Sequence, residues 1–580
     1  MQNWKPYLLL FALTFGLLGC GNNPSSSTTP PPTPSLSSIS PNSIATGSSS
    51  FTITATGSNF IRPSGGQCGS EICFNHHILP TDFGSSSELR ATVPSTLILS
   101  PGSLPVFIVS NCEVPSNTLT FTVGGGPCSI GVILRASVSN SGGQSTAAAG
   151  DPNISGNGRF VTFESTASDL VSGDTLGFED IFLRDTCLGV TTSCTPSTIR
   201  VSVDSSGAEA NGDSNRTGVT DDGRYVVFSS FATNLDSVTA DTNGFEDVYL
   251  RDTCIGATSC TPSTIRISVD TAGAQAIGGE SDHAFISDDG RFVAFRSLAA
   301  NLVIGDTNSS ADIFLRDTCN GATSCTPSTI RVSVDSSGAE AGPPFGADSD
   351  EPHISGTGRF IVFHSFADNL VTGDGNFTSD VFLRDTCIGA VSCTPSTIRL
   401  SVDSSGTEGN GFSEEAFVSD DGRFASFDSF STNLVTGDTN ASADIFLRDT
   451  CIGATSCTPS TTAISVSTGG TLSNADSFSG RISPTGRFVV YDSGADNLVP
   501  GDTNASFDIF IRDTCFGATS CSPTTTRLSV DSSGVQANGF NEDPYISDDG
   551  RFVAFVSSAS NLVSGDTNGT DDIFVAQTCF

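Results

Sequence analysis

Lysine, tryptophan and methionine are almost absent from this chain of 580 residues: each occurs once, as Lys5, Trp4 and Met1. Removal of the N-terminal segment on export leaves none of them, which excludes lysine-based covalent chemistry and makes arginine the only permanent cation. Cations are scarce in any case. The chain has 25 Lys+Arg against 62 Asp+Glu, a formal net charge of −37 at pH 7. A surface so poor in basic groups cannot neutralise phosphates, so nucleic acid is excluded as a partner; solubility, divalent cations or basic partners are favoured instead. After the first residues no apolar run is long enough for a transmembrane helix. No Gly-x-Ser-x-Gly elbow or His-Glu-x-x-His pair stands in a hydrolase context, so no catalytic residue is assigned.

What the chain has instead is repetition. From about residue 131 onward one phrase of roughly 65 residues is written seven times. Its parts read STIRVSVDSSG (Ser328 to Gly338), ISDDGRFVAF (Ile286 to Phe295) and NLVTGDTNASADIFLRDTC (Asn433 to Cys451), joined by a short SCTPST link. A Gly-Arg pair marks each copy, at Arg159, Arg224, Arg291, Arg359, Arg423, Arg487 and Arg551. Each copy supplies four runs of β-branched and aromatic residues parted by Gly, Asp, Asn and Ser, hence four strands. Seven such units in a ring predict a seven-bladed β-propeller over residues 127–580. The last copy lacks its outermost strand, and a spare strand of that type stands before the first copy. Val132 to Val138 is therefore expected to complete the seventh blade, removing an exposed edge.

The cysteines follow the same arithmetic. Six links carry a close pair: Cys187 and Cys194, Cys254 and Cys260, Cys319 and Cys325, Cys387 and Cys393, Cys451 and Cys457, Cys515 and Cys521. The seventh link is cut in two, leaving Cys128 and Cys579, which are predicted to fasten the ring as a disulfide. One isolated pair per copy does not supply the four ligands of a zinc site. Disulfides in this number place the chain in an oxidising compartment.

The opening MQNWKPYLLLFALTFGLLGC has one Lys before an apolar run too short to span a bilayer comfortably. Leu17-Leu18-Gly19-Cys20 resembles the lipobox of bacterial lipoproteins. The resemblance implies a signal peptide over 1–19, a lipid on Cys20 as the membrane attachment, and a place in the cell envelope. Gly21 lacks the Asp of an inner-membrane retention signal, so the outer membrane is preferred. Residues 20–33, rich in Pro, Ser and Thr, read as an extended tether.

Residues 34–126 form a second all-β unit. Ser38-Ile39-Ser40-Pro41, Gly47, the alternation of Phe51 and Ile53, Gly57-Ser58-Asn59-Phe60, Val93-Pro94 and Leu119-Thr120-Phe121 resemble the IPT/TIG immunoglobulin-like domains. That implies an Ig-like β-sandwich serving as a spacer or interaction module. Cys68, Cys73 and Cys112 are an odd set whose pairing stays open, and His76 and His77 read as a surface loop. In the repeats, Ile-Ser-x-Asp-Gly-Arg-Phe-Val-Ala-Phe followed by Asp-Ile-Phe-Leu-Arg-Asp resembles the WD-like repeats of TolB-type propellers, over nearly four-fifths of the chain. Such rings serve as docking platforms, substrate gates and sometimes enzymes, so the resemblance implies a fold and leaves function open.

Two repeated features bear on function. The first is Asp-x-Asn-x-x-x-Asp: Asp241, Asn243 and Asp247; Asp306, Asn308 and Asp312; Asp438, Asn440 and Asp444; Asp502, Asn504 and Asp508; Asp566, Asn568 and Asp572. Asp374 and Asp380 flank Asn376 in the same way, and the first copy has Asp174, Leu176 and Asp180. Two readings stand: the oxygen-rich start of a calcium loop, without its closing bidentate Glu, or a turn whose carboxylates accept local N–H bonds. The second feature is variation at the start of the strand expected to be innermost. Before its Ile or Val stand Asn153, Gly218, Phe285, His353, Phe417, Arg481 and Tyr545. Two positions further back stand Asp151, Arg216, His283, Glu351, Glu415, Ser479 and Asp543. A scaffold that repeats while these positions change has the form of a variable channel mouth, and hence of a binding face.

The expectation is a monomeric, lipid-anchored envelope protein whose propeller docks protein or glycan partners. The alternatives are a glycan-active enzyme using channel carboxylates, with His283, Glu351 and His353 as acid–base candidates, or a calcium-stiffened surface protein. No cofactor other than calcium is suggested.

Overall fold

Runs such as Phe-Val-Ala-Phe and Asp-Ile-Phe-Leu-Arg-Asp have the composition of strands buried on both faces, and strands are what they form. The computed structural model describes residues 33–580, apart from 46–50, 64–68, 76, 95–101, 111–113, 125–131, 191–192, 237–239, 343–346, 519–520 and 579. Cys20, Cys68, His76, Cys112, Cys128 and Cys579 lie outside the described residues, and with them the lipidation and the ring clasp. The described structure is all-β, without a helix long and apolar enough to cross a membrane. It divides into two compact units, Met1–Cys128 and Ser129–Phe580.

In the first unit a four-stranded sheet runs in the order Ser35–Ser40, Phe51–Ser58, Glu88–Val93, Thr81–Ser85. A second sheet contains Ser70–Phe74, Gly102–Ser110 and Leu119–Gly124. Both contribute to one apolar core: Leu36, Ile53 and Leu89 from the first, Ile72, Ile108 and Phe121 from the second. Cys73 is buried beside that core.

In the second unit each repeat copy builds one antiparallel four-stranded sheet resembling a propeller blade. The third copy, for example, pairs Ser281–Ile286, Phe292–Ser297, Asp312–Asp317 and Ser328–Arg331 in chain order. The last copy supplies Asn541–Ile546, Phe552–Ser557 and Asp572–Gln577, and its outer strand is Ile133–Arg135, with Leu134 opposite Val575. Each inner strand touches the inner strand of the next copy, and Asn541–Ile546 touches Ala149–Ile154, so the sheets close on themselves.

The Gly-Arg turn joins neighbouring sheets. Gly290 has φ +71°, and a Cβ there would overlap the Tyr225 ring of the preceding copy. The Arg beside it is held twice over. Arg291 donates from Nε and Nη2 to the Asp317 carboxylate at 2.8 and 2.7 Å, with its guanidinium 4.7 Å above the Phe292 ring. At the links, Cys187–Cys194, Cys254–Cys260, Cys319–Cys325, Cys387–Cys393, Cys451–Cys457 and Cys515–Cys521 are disulfides. They fit an exported protein. The Asp–Cys–Cys clusters they form, such as Asp317, Cys319 and Cys325, have no thiolate to offer a metal.

Candidate functional site

The acidic repeat folds as a turn centred on its asparagine. Asn308 Oδ1 accepts from the Ser310 amide at 3.0 Å, while its Nδ2 donates to Asp312 and to the Ala341 carbonyl, both at 3.1 Å. Between the two carboxylates lies Arg331, 3.5 Å from Asp306, 3.0 Å from Asp312 and 2.8 Å from Glu340. Arg135, Arg200, Arg266, Arg399 and Arg527 take the same place at Asp566 and Asp572, Asp174 and Asp180, Asp241 and Asp247, Asp374 and Asp380, Asp502 and Asp508. The counter-ion of these turns is therefore arginine, drawn from the outer strand, where a calcium loop would put metal. The fifth copy departs from the rule: Ala463 stands at the arginine position, and no ion pair reaches Asp438 or Asp444 among the described residues.

The second variable feature leads to the place where the inner strands converge. Every inner strand carries a β-bulge there, at Gly150/Asn153, Asp282/Phe285 and their equivalents. In each bulge a non-glycine residue adopts positive φ: Asp151, Arg216, His283, Glu351, Glu415, Ser479 and Asp543, between +35° and +54°. This backbone was not legible in the sequence, because none of these residues is the glycine that positive φ ordinarily selects.

The residues two positions on form a plug. These are the positions expected at a variable channel mouth. The His353 ring lies 3.8 Å from that of Phe285 and 3.6 Å from that of Phe417, and Phe417 meets Tyr545 edge-on at 6.4 Å. Arg481 covers Tyr545 at 3.4 Å and Phe417 at 5.0 Å. Asn153, His353 and Arg481 are buried. Facing strands crowd aromatic rings together on the axis, so apolar contact closes what a ring of small polar residues would leave open.

Above the plug remains a cavity of about 100 Å³ lined by Asp151, Arg216, His283, Glu351, Glu415 and Asp543, with the plug residues below. Burial dominates its electrostatics. Burial, then Glu415 and Asp350, push Glu351 up to about 8. Burial, with Asp543 next, raises Asp151, and burial with Asp151 pushes Glu164 up to about 8. Beneath the bulges, Asp428 and Asp492 are driven well above the carboxylate range, by burial and by Glu415 and Asp543 respectively. Burial alone would lower Arg481, yet Tyr545, Asp543, Glu415 and Asp151 outweigh it and raise its pKa. Burial and Arg481 hold His353 well below the usual histidine value, leaving a neutral ring. The result is a cup with surplus carboxyls, of which Glu351 keeps its proton at neutral pH.

Two further features escaped the sequence reading. At the far ends of the inner strands, Asp221 and Asp548 share a hydrogen bond, and Asp548 is pushed up to about 8 by burial and by Asp221. On the near side, six phenylalanines, four exposed and two half-buried, form an arc across the fourth to seventh copies. Phe366 meets Phe412 at 6.4 Å; Phe430, Phe478, Phe507 and Phe540 follow at 6.2, 6.3 and 5.1 Å. Phe366, Phe412, Phe430 and Phe540 are each at least 40% exposed. All flank the beginnings of inner strands or the strand ends paired with them, as Ser349 pairs with Ser365. The bulge residues lie nearer those beginnings than the plug does, so cup and arc belong to one face.

No protein-family model matches the chain, and no curated protein matches it in sequence. Among solved structures it is similar to a TolB of Agrobacterium tumefaciens, at 15% identity over 66% of this chain and 94% of that one, with a TM-score of 0.31. A prolyl endopeptidase is similar at 10% identity, over 91% of this chain and 55% of that one, TM-score 0.35. An auxiliary nutrient binding protein from Bacteroides ovatus is similar at 11% identity, over 80% and 96%, TM-score 0.28. At these scores the likenesses carry no argument about what this chain binds or does.

Proposed function

We propose that the chain is an exported, lipid-anchored binding protein of the bacterial envelope. In this reading an Ig-like module precedes a seven-bladed propeller of TolB type, which docks a protein or glycan partner on one face and catalyses nothing. The observation that carries it is the pairing of a carboxyl-rich cup with an exposed phenylalanine arc on the same face. Large apolar patches rimmed by polar groups mark interaction surfaces. The cup is far below the ~300–1,000 Å³ of small-molecule pockets, so it admits the tip of a side chain and not a sugar ring. That favours a protein partner presenting a cationic group, held by the carboxyls while apolar side chains cover the arc.

A second reading keeps one observation in its favour: Glu351, at about 8, holds its proton at neutral pH beside Glu415, as a glycan-cleaving acid would. One experiment separates the two. Wild type and a Glu351→Gln/Glu415→Gln variant are titrated with lysine-bearing peptides and with envelope glycan fragments, following both binding and product release. Docking requires saturable, salt-sensitive peptide binding that weakens at least tenfold in the variant. Glycan turnover lost in the variant establishes the enzyme, and binding of neither ligand removes both readings.

A further inference from the structure

The seven acidic turns are six occupied sites and one that has lost its occupant. In the third copy Arg331 stands opposite Phe314 and reaches both carboxylates; in the fifth, Ala463 stands opposite Phe446 at the same register. The polar neighbour has gone too. Glu209, Glu340 and Glu408 pair with the arginine of their copies, and the equivalent position in the fifth copy is Leu472.

The carboxylates have stayed. Asp438 is 7% exposed and Asp444 is fully buried. Asp444 retains Asn440 at 3.1 Å and Ser465 at 2.5 Å, and gains the Ser473 hydroxyl at 2.5 Å. Asp438 has gained nothing: its buried Oδ1 has no hydrogen-bond partner. Beside the pair opens a cleft of about 930 Å³, lined by Gly437, Asn440, Ala463, Leu472 and Ser473 and, on its far wall, by Arg512, whose Nη1 donates to the Ser467 carbonyl and the Thr525 hydroxyl.

We propose that this cleft binds a guanidinium group, the arginine side chain of a polypeptide partner, in the place the chain's own arginine has left. The six other copies display the ligand, and the fifth displays its receptor. A guanidinium presents several donors in a planar fork, which matches two carboxylates facing one another. Calcium fits less well. It takes six to eight oxygens, whereas here Asn440 turns its NH₂ towards Asp444 and its carbonyl accepts from Ser442, and no closing Glu is present. Leu472 and Val466 offer the methylenes of an arginine an apolar wall. Burial and Asp444 raise the Asp438 pKa, with no arginine to oppose them as Arg331 does at Asp306. The site is separate from the central cup, so either reading stands without the other.

The test is calorimetric titration of the full chain with N-ethylguanidinium, ethylammonium, calcium and a Gly-Arg-Gly peptide. Wild type should bind N-ethylguanidinium and the peptide at one site besides any in the central cup, at least tenfold tighter there than ethylammonium or calcium. Ala463→Arg should abolish that binding and raise the melting temperature, and it restores a side chain that six copies accommodate. Asp438→Asn should weaken binding at least tenfold, while Glu351→Gln/Glu415→Gln leaves it unchanged. Absence of saturable binding to wild type, or equal binding by Ala463→Arg, overturns the proposal. So does a calcium preference that Ala463→Arg removes, which makes the place a metal site.

Discussion

Arg331→Ala converts the third copy into an image of the fifth without its compensations. The arginine side chain is 10% exposed and lies against Asp312 at 0%, Asp306 at 5% and Glu340 at 23%. Removing one partner of a buried pair costs about 3–5 kcal/mol, because it strands the other charge. The stranded pair has one escape, which is to take up a proton. From an unfolded value near 3.9, protonating one Asp costs about 4 kcal/mol at pH 7 and about 1.5 kcal/mol at pH 5. The two figures agree at neutral pH, so the expected loss is about 3–4 kcal/mol at pH 7 and about 1–2 kcal/mol at pH 5. The sign is that of a carboxyl whose folded pKa is raised: its contribution is present below the unfolded pKa and is lost as pH rises. Asp306 sits at about 6 even with its arginine. Native-state hydrogen exchange in Asp312–Asp317 and Ser328–Arg331 reads the opening energy of this sheet alone. Where a denaturant is used it must be urea, because guanidinium mimics the missing group. A loss below about 1 kcal/mol at pH 7, or one that does not shrink at pH 5, refutes the reasoning. So does failure of Asp306→Asn to recover stability in the Arg331→Ala background.

Three other outcomes follow from the same geometry. Glu351, Glu164 and Asp548, each pushed up to about 8, contribute stability that fades as pH rises from about 4 through 8; melting temperature should fall between pH 5 and 9, and Glu351→Gln should flatten the slope. Asp317, which Arg291 holds below its usual value despite burial, works in the opposite sense and is lost in acid, so the maximum lies at mildly acidic pH. Replacing Cys319 and Cys325 by Ser reopens a loop of about seven residues and should cost about 2.4 kcal/mol, read by urea melts with and without reductant. Gly290→Ala combines positive φ with overlap of Tyr225, whereas Gly305→Ala has positive φ and open space; the first should cost about 1–3 kcal/mol more than the second by thermal melting.

The four strands of each copy were legible because alternation and turn residues recur in register, and the spare strand because the last copy was short by one. The link disulfides were legible from spacing alone. The arginine of the acidic turn was not, for a physical reason: Asp312 and Arg331 lie on different strands and meet only when the sheet forms. Its trace was nevertheless present, since the outer strand reads Ser-Thr-Ile-Arg in four copies and Ser-Thr-Thr-Ala in the fifth. The variable positions were legible as a set, but their burial was not, because a strand pattern does not say how many rings meet on an axis. The phenylalanine arc escaped because Phe366, Phe412 and Phe507 stand in links, where no period is imposed.

The bulges invite a functional reading that the repeat itself forbids. Positive φ at a non-glycine residue costs about 1–3 kcal/mol and gathers at active sites, yet all the inner strands carry it, whatever their side chains. Strain so uniform belongs to the architecture of crowded inner strands. Side-chain polarity is different, because it changes from copy to copy on an unchanged backbone. The second strand places Ser229 and Val556 beneath the bulges of the second and seventh copies, but Glu164, Arg296, His364, Asp428 and Asp492 beneath those of the first and the third to sixth. His364 Nδ1, Glu415 Oε2, Asp428 Oδ1, Asp492 Oδ1 and Arg481 Nε are all buried without a hydrogen-bond partner, at about 1–3 kcal/mol each. Serine and valine show that the scaffold closes without them. Charged or imidazole side chains thus stand beneath five of the seven bulges, those of the first and third copies included, so they follow the cup around the ring and not the phenylalanine arc.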